Sequence, residues 1–177
     1  MLDLLAEKEP LDIPAITRLQ RLKTGEIFAF SCESGGILGK AAPSVRHSLT
    51  AYAHSLGLAF QIADDLLDFT GEEQVIGKPV GGDLVEGKMT LPVIHLLATG
   101  DARANTIIRG IVERRASTAE EWRELKALLA SHGSLDYARK AAHDYVATAK
   151  EALSVFPASA EREALLYLPD YVVARDR

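Results

Sequence analysis

Residues 56–69 read Leu-Gly-Leu-Ala-Phe-Gln-Ile-Ala-Asp-Asp-Leu-Leu-Asp-Phe, and no other segment constrains the fold as tightly. At about 100° per residue on a helical wheel, Gln61, Asp64, Asp65 and Asp68 share an arc of about 100°. Leu58, Phe60, Ile62, Leu66, Leu67 and Phe69 occupy the remaining circumference together with two alanines. A helix that is apolar over so much of its surface packs inside a bundle, so its acidic stripe is expected to face a cavity or cleft. Two carboxylates about 5 Å apart repel by about 3 kcal/mol at an effective dielectric of about 20. Protonation, basic neighbours or a bound cation would offset that repulsion. Carboxylate-only ligands suit a hard cation such as Mg²⁺, which completes its shell with water and phosphate oxygens. The competing reading of Asp64, Asp65 and Asp68 is a solvated acidic face or a set of helix caps.

Lysines supply the other half of the pattern. Lys23-Thr24-Gly25 falls within the first long helical segment. Lys78 and Lys88 flank a stretch rich in glycine, with Gly71, Gly77, Gly81, Gly82 and Gly87 close together around Pro79. Glycine lets a backbone approach a ligand closely, and lysine is a common point-charge partner for phosphate. Each lysine alone reads as a solvated surface residue. Taken with the acidic stripe, the three make one coherent site for a metal-bound diphosphate.

The rest of the chain reads as helix. Periodicity and caps predict helices over about 16–38, 44–69, 91–97, 101–115, 119–131, 134–155 and 160–173, with a short helical piece over 1–8. Gly35-Gly36 marks close packing, a bend or an end in the first of these. Thr90 and Thr118 stand at cap positions, and Glu121 completes a capping box with Thr118. No sustained period-2 strand and no repeat appears, so the expected fold is an all-α bundle forming a single helical domain over 1–177. Apolar residues make up 47% and charged residues 25% of the 177 residues, a globular composition. The net charge of -5 argues against a general nucleic-acid binder. Cys32 is the single cysteine, which excludes an intramolecular disulfide, and it reads as packing. No apolar run is long enough for an integral membrane segment, and Met1–Glu7 has no basic region of the secretory kind, so a cytoplasmic location is expected. The five histidines lack metal-ligand spacing, and Glu113-Arg114-Arg115 reads as a solvated helix face.

At these residues the chain resembles the trans-isoprenyl diphosphate synthases, the polyprenyl synthetase family. The resemblance is carried in order by Leu22-Lys23-Thr24-Gly25, Gly57 through Asp68, Gly77-Lys78-Pro79, Gly82-Asp83-Leu84 and Gly87-Lys88-Met89-Thr90-Leu91-Pro92. It implies an isoprenoid-synthase-type helical bundle around a deep cavity. It also implies Mg²⁺-dependent, head-to-tail joining of an allylic diphosphate to isopentenyl diphosphate. On that analogy Asp64, Asp65 and Asp68 hold Mg²⁺. Lys23, Lys78 and Lys88 contact the allylic diphosphate. Thr24 and Gln61 act at the reacting centre by turning oxygen dipoles toward the developing cation, and Lys23 acts there through the departing diphosphate. Asp83 orients a lysine. Phe28, Phe60 and Phe69 line a hydrocarbon tunnel or, on the plainer reading, pack the core.

The pattern departs from the family in two respects, one of them the absence of the basic constellation that the family places before its first motif to hold isopentenyl diphosphate. Members of the family carry two aspartate-rich motifs on facing helices, and this sequence holds one DDxxD. The chain thus resembles the C-terminal half of a synthase, with the N-terminal helices missing, and little activity is expected of it alone. The family also implies a homodimer, or a complex with a chain that supplies the missing half. Two alternatives stand beside this reading. One is a non-catalytic partner of a full-length synthase. The other is a class I terpene cyclase relative, against which Lys23, Lys78, Lys88 and the Gly87–Pro92 string argue.

Overall fold

The computed structural model describes residues 12–70 and 81–174. All regular structure among these residues is helical, and no strand occurs. The first helical run begins as α1 (Ile13–Gln20), widens into one π-helical turn at Arg21–Gly25 and continues as α2 (Glu26–Leu38). Then follow α3 (Pro43–Thr70), the short α4 (Gly82–Val85), α5 (Leu91–Ala98), α6 (Ala102–Arg114) and α7 (Ala119–Ser131). Helix α8 (Ser134–Ala152) ends in a 3₁₀ turn, and α9 (Ala160–Ala174) closes the described chain.

The elements form for local reasons that the sequence carries. The Thr118 hydroxyl accepts from the Glu121 N–H at 3.2 Å, and the Glu121 carboxylate accepts from the Thr118 N–H at 3.0 Å, so the capping box of α7 is complete. Asp101 caps α6 by accepting from the Ala104 N–H at 2.8 Å. Thr90 occupies the cap position of α5, yet its buried hydroxyl caps nothing. Gly35-Gly36 does not end α2, which runs on to Leu38. A Cβ on Gly36 would meet Arg46 and Leu49 at 3.1 Å, so close packing explains Gly36, whereas a Cβ on Gly35 would meet nothing within 4 Å. The short helix α4 falls in the glycine-rich stretch, where residue spacing predicts no helix. The helical piece expected over 1–8 lies outside the described residues.

These helices gather into two compact units. Residues 12–16, 64–70 and 81–139 make the first, around a core that includes Phe69, Leu84, Leu96, Ile108, Leu125 and Leu129. Helix α6 shows the pattern: Ala104, Ile107, Ile108 and Ile111 are buried, one face at helical spacing. Residues 17–63 and 140–174 make the second, around Ala29, Tyr52, Leu56, Ala149, Leu153 and Val172. Cys32, Phe28 and Phe60 pack against that core, and burial pushes the Cys32 thiol up.

Pro169 lies inside α9, where it has no N–H to give the carbonyl four residues earlier. That carbonyl belongs to Leu165, and the Tyr52 hydroxyl donates to it at 2.9 Å. Burial raises the Tyr52 phenol to about 12, so it stays a donor at any ordinary pH. Among the described residues no helix is long and apolar enough to cross a membrane.

Candidate functional site

Within the second unit, α3 crosses the first helical run with almost no gap. A Cβ on Gly57 would lie 2.8 Å from the Cα of Gly25. Glycine at position 57 permits that approach. One turn along α3 from Gly57, the Thr24 hydroxyl donates to Gln61 Oε1 at 2.8 Å. Lys23, Thr24 and Gly25 all sit on the π-helical turn, a feature that occurs frequently at functional sites. Lys23 is exposed, while Thr24 and Gln61 are half-buried. The pair expected at the reacting centre is therefore assembled, with Lys23 beside Thr24 in the chain. All three aromatics make core contacts. Phe28 and Phe60 form a tilted pair at 5.7 Å that packs against the core of the second unit. Phe69 is fully buried in the first unit and stacks on Trp122 at 5.6 Å.

Within the first unit the acids at the end of α3 are not equivalent. Asp64 is exposed, Asp65 is 6% exposed and Asp68 is half-buried. Asp68 Oδ2 accepts from the Asp83 N–H at 3.2 Å. Burial, and then the nearby Asp83 charge, raise the Asp68 carboxyl to about 6 despite the hydrogen bonds it accepts. Asp83 in turn accepts from Lys88 Nζ at 2.8 Å, and Glu86 lies 2.7 Å from the same nitrogen. Those two carboxylates hold the Lys88 ammonium well above the usual lysine range. Asp83 thus orients a lysine, as the sequence suggested, and Glu86 is a second anchor that it did not suggest.

The backbone explains why Lys88 points where it does. Helix α4 ends in a Schellman motif, with Gly87 at φ +83°, the Gly87 N–H bonded to the Leu84 carbonyl at 2.9 Å and the Lys88 N–H bonded to the Asp83 carbonyl at 2.8 Å. At the start of α4, Gly81 has φ +83° and its N–H bonds the Asp68 carbonyl at 3.0 Å. A Cβ there would strike the Trp122 ring at 2.6 Å, so the chain is pinned against the Phe69–Trp122 stack as it enters α4. Lys78 lies outside the described residues.

Among the described residues, no three acid, cysteine or histidine side chains are gathered as a ready-made metal cage. The donor set still fits a hard cation. Asp64 and Asp68 are one turn apart on the same face of α3, and both reach the surface of their unit. Such a face takes a cation that keeps most of its waters and shares the rest of its shell with phosphate.

The polyprenyl synthetase family matches residues 1–129. An octaprenyl diphosphate synthase of Haemophilus influenzae is 34% identical over 154 residues, covering 87% of this chain and 46% of that one. A geranylgeranyl diphosphate synthase of Methanosarcina mazei is 36% identical over 154 residues, covering the same shares of 87% and 46%. Among solved structures, a polyprenyl synthase of Caulobacter crescentus CB15 complexed with calcium and isoprenyl diphosphate aligns with a TM-score of 0.89 at 35% identity, over 99% of this chain and 54% of that one. A geranylgeranyl pyrophosphate synthetase of Pyrococcus horikoshii aligns with a TM-score of 0.87 at 34% identity, over 98% and 53%. The chain spans about half the length of the relatives it matches. Its fold is the all-α fold of these synthases.

Proposed function

The chain belongs to the polyprenyl synthetase family, and from that membership we propose that it carries one side of the site for prenyl transfer from an allylic diphosphate to isopentenyl diphosphate. The observation that carries the reading is the linked set Asp68–Asp83–Lys88, next to Asp64 on one helix face. Asp64 and Asp68, with Asp65 behind them, would hold Mg²⁺, which when bound neutralises the departing diphosphate.

The residues of this chain then do the following. Lys88, fixed by Asp83 and Glu86, offers a positioned cation to diphosphate oxygens. Lys23 and Lys78 are assigned to the allylic diphosphate by the resemblance to the family alone. As the allylic C–O bond breaks, the oxygen electron pair leaves with the diphosphate and positive charge develops on the allylic carbons. Thr24 and Gln61, locked to each other at 2.8 Å, present oxygen dipoles to that charge without reorganising. The double bond of isopentenyl diphosphate forms the new C–C bond, and a proton leaves the adjacent carbon.

The 177 residues contain one DDxxD, so we propose that turnover needs a second aspartate-rich helix in addition to this one. A dimer, or a complex with a chain bearing that helix, is the assembly in which it would be supplied, in the cytoplasm. Exposed Ile27, Phe30 and Leu38 on α2 favour such an association. The test is a radiolabelled condensation assay with Mg²⁺, isopentenyl diphosphate and allylic diphosphates. The isolated chain is expected to give no product, and addition of a polypeptide bearing the first motif is expected to give prenyl diphosphate. Product from the isolated chain, or none from the mixture, contradicts the proposal.

A further inference from the structure

Helix α6 ends on a residue in the wrong conformation for its type. Arg115 is the C-cap, with φ +54° and ψ +35°, a left-handed position where glycine is the usual occupant. An L-residue held there is strained relative to its right-handed form, because its Cβ crowds the following carbonyl oxygen. Arg114, its neighbour, does what a surface arginine does and pairs with Glu121 at 2.6 Å. The side chain of Arg115 takes another course. Its Nη1 donates to the backbone carbonyl of Glu86 at 2.7 Å. The guanidinium also lies over Gly87, where a Cβ would be 3.8 Å from its Cζ.

Glu86 is the C-cap of α4, immediately before the two residues of the Schellman turn. The last carbonyls of a helix have no partner within it. Arg115 supplies one, with a charged donor and a geometry that reaches the turn from outside. The same turn delivers Lys88, whose N–H and ammonium are both bonded to Asp83. A strained backbone that persists is a pointer to a task for the residue that bears it.

We propose that Arg115 is a positioning residue, which latches the Glu86–Gly87 turn and so holds the Lys88 ammonium toward Asp83 and Asp68 for an incoming diphosphate. The inference rests on Lys88 as a diphosphate ligand, and it adds a residue on a different helix that touches no substrate.

Arg115→Gly separates this role from a merely structural one. Glycine relieves the left-handed backbone, so the melting temperature is expected to stay level or rise. The latch is lost, so amide exchange at Gly87 and Lys88 is expected to accelerate about tenfold, with α7 unchanged. Affinity for inorganic pyrophosphate with Mg²⁺, read by the fluorescence of the single Trp122, is expected to fall about fivefold to tenfold. Arg115→Lys keeps the strain and a cation, and restores affinity to within about twofold of wild type. Unchanged exchange at Gly87 and Lys88 in Arg115→Gly overturns the latch, and so does an affinity within twofold of wild type. The exchange measurement needs no ligand. If wild type binds no pyrophosphate, the diphosphate reading fails, and with it the purpose assigned to the latch.

Discussion

Gly57→Ala tests the helix crossing that sets the Thr24–Gln61 pair. The new Cβ would lie 2.8 Å from the Cα of Gly25, where carbon atoms in contact prefer about 3.5–4.0 Å. Both surfaces are backbone, so no side-chain rotation relieves the clash. The two helices must separate by about 0.7–1 Å. The Thr24–Gln61 hydrogen bond, now 2.8 Å, is one turn away and stretches to about 3.5 Å, at the edge of a useful bond. Overpacking of this kind costs about 1–3 kcal/mol, and the weakened hydrogen bond adds about 1 kcal/mol. The better helix propensity of alanine returns about 1 kcal/mol. The net is a loss of about 1–3 kcal/mol, or a fall in melting temperature of about 3–9 °C for a chain of this size. Gly25→Ala is the control, because its Cβ meets Arg21 at 3.4 Å and His54 at 3.6 Å, ordinary contacts. Circular dichroism melts of the two variants are expected to diverge, with Gly57→Ala below wild type and Gly25→Ala level with it or above. Equal melting of Gly57→Ala and wild type would refute the reasoning.

Three further outcomes follow from the described geometry. Tyr52→Phe strands the Leu165 carbonyl and is expected to cost about 1–3 kcal/mol, whereas in a Pro169→Ala background, where an N–H returns, the cost is expected to shrink by about 1 kcal/mol in a double-mutant cycle followed by urea melts. Asp101 is held low by the Ala104 N–H and then by His132, and Glu121 by the Thr118 N–H and then by Arg114. Their folded values lie below their unfolded ones, so their support is present above about pH 4 and is lost as pH falls through the folded values; Asp101→Asn is expected to flatten part of that acid limb. Asp68 has the opposite sign: its folded value, about 6, lies above the unfolded one, so stability is lost as pH rises through it. Asp68→Asn keeps an acceptor for the Asp83 N–H and is expected to melt higher than wild type at pH 7.5, with the advantage gone by about pH 4.

The parts of this fold legible in the sequence are those governed by local rules. Helix boundaries at Thr118, Asp101 and Pro43 follow from caps and first turns, and α3 agrees within a residue or so with its apolar pattern. Asp64, Asp65 and Asp68 are legible as a stripe because helical spacing alone puts them on one face. Their different burial is not legible, since it depends on which later segments pack there. The π-helical turn at Arg21–Gly25 leaves no signature in residue spacing, and Gly57 reveals its purpose only when the backbone of Gly25 is seen against it. Helix α4 hides in a glycine-rich stretch because one four-residue turn has no periodicity to detect. Arg115 reads as a solvated helix residue, and its reach to Glu86 is a contact across 29 positions of sequence. Trp122 likewise shows nothing of its contact with Gly81 until the turn is built.

The central claim is that the acids of α3 and Lys88 hold a metal-bound diphosphate. Titration calorimetry of inorganic pyrophosphate into the chain, with Mg²⁺ and with a chelator, tests it most directly. The account predicts binding that requires Mg²⁺, is abolished by Asp64→Asn combined with Asp68→Asn, and weakens about tenfold or more in Lys88→Ala. Binding of equal strength in chelator, or binding untouched by those substitutions, would contradict it.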